Sequence, residues 1–138
     1  MIPKRLFMMW LGGPAPAYAE NAADAFRRAY PDWDVRFLKR DAAALRAVRD
    51  GRRLLGEDAV LRRAMDVAFV DPGPYAGYVE HQRRLYGNKL RNVILLSDVF
   101  RLMLLNEYGG VYVDADSLPG RPFDGGLLSG RFCVCRGP

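Results

Sequence analysis

Histidine and cysteine are nearly missing from this chain. Its 138 residues hold one histidine, His81, and two cysteines, Cys133 and Cys135. A closed zinc site draws four ligands from those residue types, so a structural zinc fold is excluded. A disulfide framework is excluded too. On a strand Cys133 and Cys135 share a face, and a bridge between neighbours of that kind is strained. Both are expected to be small buried thiols in a reducing compartment. His81 lies in the polar stretch Glu80-His81-Gln82-Arg83 and is expected on a helix surface rather than as a ligand or base. Long apolar runs are missing as well. No stretch approaches the ~20 residues of a membrane-spanning helix. Lys4-Arg5, Leu6–Leu11 and Ala15-Pro16-Ala17 loosely imitate a secretion signal, but the apolar run is six residues long and Gly12-Gly13 interrupts it. A buried first strand explains the same residues, and a cytoplasmic protein is expected. Internal repeats and low-complexity tracts are absent.

What the chain does have is the material for a core. Half of its residues are hydrophobic and 27% are charged, which suits one globular domain over the full length 1–138. The net charge is +5, and arginine supplies 18 of the 21 basic residues. The basic pairs Arg27-Arg28, Arg52-Arg53, Arg62-Arg63 and Arg83-Arg84 are scattered along the sequence. Scattered charge makes no groove for a nucleic acid, so a solvated surface is the favoured reading and no nucleic-acid partner is expected.

Taken in order, strand-length and helix-length segments alternate as in α/β folds. Arg5 to Leu11 is a continuous apolar run, expected for a parallel strand covered on both faces. Ala19 to Tyr30 has Ala22, Ala25, Phe26 and Ala29 at helical spacing, with Pro31 beyond its end. Asp34 to Leu38 is the second expected strand. Helices are expected over Arg40–Arg49, with Leu45 and Val48 inward, and over Glu57–Phe69, with Leu61, Met65 and Ala68 on one face. Asp71-Pro72-Gly73-Pro74 is a loop. Tyr75 to Leu90 is expected to be helical, though Gly77 and Gly87 weaken it. Leu118-Pro119 and Arg121-Pro122 mark a loop, and Arg131 to Cys135 is the last expected strand.

The densest information lies in Ser97–Asp116, SDVFRLMLLNEYGGVYVDAD. Ser97 is expected to cap a helix, with Asp98 in the first turn where the dipole favours an acid. Val99 to Leu105 is apolar except for Arg101, which suits a buried helix. Gly109 and Gly110 stop it. Val111-Tyr112-Val113 has the composition of a short buried strand. Asp98 and Arg101 are three apart and share a helix face. Asp114 and Asp116 project to one side if the backbone stays extended. Two hard oxygen ligands suit Mg²⁺ or Mn²⁺, which bind through one or two carboxylates plus substrate phosphates. A metal–diphosphate site with a polar pair beside it is the chemistry these residues suggest.

The pattern S-D-x-x-R-x-x-x-L followed by G-G-V-Y-x-D-x-D resembles the DXD-motif glycosyltransferases of the GT-A fold. Those include α-mannosyltransferase relatives, bacterial polysaccharide transferases and glucosylating toxins. Ile2-Pro3-Lys4 and Trp10-Leu11-Gly12-Gly13 resemble the same family's opening strand, although Phe7 stands where relatives often carry a histidine. The resemblance implies an α/β fold with a Rossmann-like GT-A sheet that binds a nucleotide-diphospho-sugar and is flanked by helices. It covers the nucleotide-sugar half; the acceptor half is expected to be absent from these residues.

By resemblance, Trp10 lies near the nucleotide base, Asp98 and Arg101 contact the donor sugar, Asp114 contacts ribose and sugar, and Asp116 contacts the metal. The implied function is metal-assisted transfer, with retention of configuration, of a sugar from a UDP- or GDP-sugar to a glycan, lipid-linked or protein acceptor. Polysaccharide biosynthesis is one expected setting. A truncated or degenerate module that binds a nucleotide sugar without turnover is the alternative. A basic nucleic-acid-binding domain ranks lower, because the two carboxylates repel phosphates unless a metal intervenes.

Overall fold

The computed structural model describes residues 1–86, 92–120 and 128–129. The expected strand Arg131–Cys135, both cysteines, Arg121-Pro122 and the segment 87–91 lie outside the described residues.

The apolar run at the start forms strand β1, Arg5–Leu11, with Leu6, Phe7 and Met8 fully buried. Each such side chain contributes roughly 1.5–3 kcal/mol by leaving water. Helix α1, Ala17–Ala29, follows; the Pro16 carbonyl accepts from the N–H groups of Ala19 and Glu20. The helix ends before Pro31, where Tyr30 N–H still bonds the Phe26 carbonyl. Its buried face is Ala19, Ala22, Ala23 and Phe26, while Ala25 is half-buried and Ala29 exposed. The expected face was therefore rotated. Phe26 belongs to either stripe, and alanine distinguishes them poorly.

Strand β2, Asp34–Arg40, outruns its expected end by two residues. Its first N–H, on Asp34, donates to the Lys4 carbonyl at 3.0 Å, and Gly12 N–H donates to the Arg40 carbonyl at 2.8 Å. Strand β3, Val111–Tyr112, lies on the other side of β1, giving a parallel sheet in the order β2-β1-β3. Leu6 faces Val111 and Phe7 faces Tyr112 in register. The expected three-residue buried strand is thus two residues long and half-buried, and among the described residues it lies at the edge of the sheet.

Between β2 and β3 the described residues are mostly helical. Asp41 caps α2, Ala42–Arg49, by accepting from Ala44 N–H at 2.8 Å. Val48 is buried as expected, whereas Leu45 is half-buried. Helix α3, Glu57–Phe69, has the expected bounds and buries Leu61, Met65 and Ala68. A short 3-10 turn, Gly73–Tyr75, enters α4, Ala76–Tyr86, where His81 is exposed as expected. Helix α5, Asn92–Tyr108, packs on α3 and buries Leu95, Leu96, Val99, Phe100 and Leu104; Leu102 is exposed.

The chain divides into two compact units. One comprises 1–9, 15–38 and 109–138; the other comprises 10–14 and 39–108. In the second unit Asp58 is the one buried charged residue among the described residues. Its carboxylate accepts from Arg40 Nε at 2.6 Å and from Arg53 Nε at 3.1 Å. Two guanidiniums thus satisfy a carboxylate that is costly to bury alone.

Candidate active site

Asp98 and Arg101 lie on α5. Arg101 Nη2 meets Asp98 Oδ1 at 2.9 Å, and both side chains are largely buried, with 31% and 19% of their surface exposed. The helix starts at Asn92, not at Ser97, so neither Ser97 nor Asp98 is in its first turn. Ser97 donates its hydroxyl proton to the Val93 carbonyl at 2.8 Å instead. The apolar residues Val93 to Leu96 explain the difference. Leu95 and Leu96 are buried, and helical backbone is the way to bury them with their N–H and C=O groups paired. A serine inside a helix then bonds backwards to the i−4 carbonyl. Asp98 accordingly owes its setting to Arg101 and burial rather than to the helix dipole.

The other acidic pair follows β3. Val113 N–H makes a last bond to the Phe7 carbonyl at 3.0 Å, and the chain then leaves the sheet. The Asp114 carbonyl accepts from Ser117 N–H at 3.0 Å, closing a turn over Asp114-Ala115-Asp116-Ser117. The backbone is therefore not extended there, so the condition for the two side chains to project to one side is not met. Aspartates favour such turns once ladder partners run out. Ala115 is buried at 8% exposure while Asp114 and Asp116 are both exposed. The apolar residue anchors the turn and leaves two carboxylates in contact with solvent.

Two glycines bring this turn to its place. Gly109 and Gly110 have φ of +68° and +104°, a region that L side chains rarely adopt. Each also lies against the first residues of the chain. A Cβ on Gly109 would stand 2.9 Å from the Pro3 ring, and one on Gly110 would stand 2.5 Å from the Arg5 carbonyl oxygen. The opening motif and the G-G-V-Y motif, remote in sequence, therefore pack directly on each other. Sequence spacing gave no signal of that contact.

Trp10 is half-buried near the end of β1. Trp10, Asp98 and Arg101 belong to one compact unit, and Asp114 and Asp116 belong to the other.

Residues 16–130 match the family model described as a glycosyltransferase sugar-binding region containing a DXD motif. The chain belongs to that family. The match spans Asp98, Arg101, Asp114 and Asp116 and begins after Trp10. No similar curated protein and no similar solved structure was found. Membership makes the chain glycosyltransferase-related.

Among the described residues no cluster of three or more His, Cys, Asp or Glu is arranged to hold a metal. Two exposed carboxylates nonetheless fit Mg²⁺ or Mn²⁺, because these ions commonly complete their shell with water and diphosphate oxygens. Among the same residues no helix is long and apolar enough to cross a membrane.

Proposed function

We propose that this chain is the donor-binding domain of a metal-dependent glycosyltransferase, with a Rossmann-like sheet of the GT-A kind. One observation carries the reading. The acidic turn directly follows the carboxyl end of β3, beside the central strand of the sheet. In open α/β sheets, ligands bind beyond strand carboxyl ends where the strand order reverses. Here β1 is followed in sequence by β2 on one side and flanked by β3 on the other.

In this reading Asp116 and Asp114 would hold Mn²⁺ or Mg²⁺ when a UDP- or GDP-sugar binds, and Asp114 would also reach the ribose. The ion, when bound, supplies charge stabilisation to the departing diphosphate. The ion pair of Asp98 and Arg101 presents an acceptor and a donor to sugar hydroxyls, supplying orientation more than bond chemistry. Trp10 packs near the nucleotide base. The glycosyl group passes with retention to an acceptor hydroxyl of a glycan, lipid-linked or protein substrate, as in polysaccharide synthesis in the cytoplasm.

A thermal-shift panel of UDP- and GDP-sugars, with and without Mn²⁺, tests this on wild type and Asp116→Ala. A donor present at a hundred times its Kd adds about 2.7 kcal/mol to stability. The expected result is a shift with one donor class that needs Mn²⁺ and disappears in the variant. A panel without any shift in the wild type would overturn the proposal. Donor hydrolysis with Mn²⁺ then separates turnover from binding alone.

A further inference from the structure

Helices α2, α3 and α5 leave a cleft of about 270 Å³ between them. Its walls are apolar: Leu45, Met65, Phe69, Val93 and Leu96. Its volume falls just below the ~300 Å³ at which small-molecule sites begin, so it suits a short alkyl chain rather than a nucleotide sugar. None of Trp10, Asp98, Arg101, Asp114 and Asp116 lines it.

The polar groups around the cleft are one-sided. Arg46, Arg49 and Arg62 stand at it against a single carboxylate, Asp66. Arg62 is engaged with Asp66 at 3.0 Å, and Arg49 with Asp50 at 3.1 Å. Arg46 is exposed and makes no ion pair among the described residues. Phe69 and Val70, at the same opening, are 41% and 77% exposed. A ligand suited to this cleft carries an alkyl chain for the walls and one negative charge for Arg46.

We propose that the cleft binds a single-chain anionic amphiphile, a fatty carboxylate of about ten carbons in its simplest form. The chain lies along Leu45, Met65 and Leu96, and the head group meets the Arg46 guanidinium at the rim. Charge complementarity selects this occupant over a neutral alkyl chain or a second copy of the protein.

Calorimetric titration with decanoate, kept below its aggregation threshold, tests the proposal without any nucleotide sugar. Its outcome is therefore independent of the glycosyltransferase reading. Saturable one-to-one binding is expected. Arg46→Glu should weaken decanoate about fivefold and leave 1-decanol unchanged, as suits one partly exposed ion pair. Phe69→Ser, with melting followed by circular dichroism to show that it folds, should weaken both ligands. No saturable binding, equal decanoate affinity in Arg46→Glu, or sedimentation showing a dimer that buries this face would overturn it.

Discussion

Replacing Asp58 by alanine removes the carboxylate that holds two guanidiniums in the second unit. Arg40 is the costly partner. Its side chain is 15% exposed, and without Asp58 it keeps the bond from Nη1 to the Lys39 carbonyl at 2.9 Å. Arg53 is 47% exposed and can turn to water at little cost. Breaking a buried pair by deleting one partner costs about 3–5 kcal/mol, and the exposure of Arg53 puts Asp58→Ala near the lower figure. Asp58→Asn keeps an acceptor and loses the charge, so about 1.5 kcal/mol is expected. Arg40→Met removes the buried cation instead of stranding it and should cost less than Asp58→Ala. Urea unfolding at pH 7, with an unchanged slope, measures all three. A loss below about 1 kcal/mol for Asp58→Ala would refute the reasoning, because exposed pairs already contribute that much. The effect reaches beyond stability. The Arg40 carbonyl accepts from Gly12 N–H, so the network steadies the turn that follows Trp10.

Gly110→Ala should destabilise by about 3 kcal/mol in urea unfolding, since it combines a strained φ with a clash against the Arg5 carbonyl. Ser97→Ala should change stability by less than about 0.5 kcal/mol, whereas loss of a true N-cap costs about 1 kcal/mol; thermal melting separates the two. The Asp32 carboxyl is held below the usual carboxylate range by the hydrogen bond from Lys4, and the Asp50 carboxyl by the one from Arg49. Groups depressed in this way add stability above their unfolded pKa of about 3.9 and lose it as pH falls through the folded value. Lys4→Met should therefore raise the Asp32 titration midpoint toward the ordinary value in a carboxyl NMR titration and soften acid sensitivity below about pH 4. A midpoint unmoved by that substitution would contradict the Lys4 assignment.

Where one physical effect dominates, the sequence was easy to interpret. The apolar run of β1 and the periodic face of α3 have the bounds expected of them. The glycine pair after α5 behaves as its chemistry requires. Elsewhere two effects compete. Ser97 is a good cap in isolation, but Leu95 and Leu96 gain more by extending the helix behind it. Asp114 and Asp116 alternate as on a strand, yet the backbone beyond Val113 has left its ladder and closes a turn. The Arg40–Asp58–Arg53 cluster joins a strand end, a helix start and a loop, a combination with no local signature. The docking of Pro3 and Arg5 on the glycines is likewise a long-range product of strand order.

That pairing of β1 with β3 has a kinetic consequence. Its partners Leu6 and Val111 lie far apart in the sequence, so the loop-closure entropy is large and the step is intrinsically slow. Until residues 111 and 112 emerge from the ribosome, one flank of β1 has no ladder partner and presents bare amides and carbonyls to any passing strand. The acidic turn is thus seated late in assembly. A chain stalled before it carries an adhesive edge as well as lacking the two carboxylates.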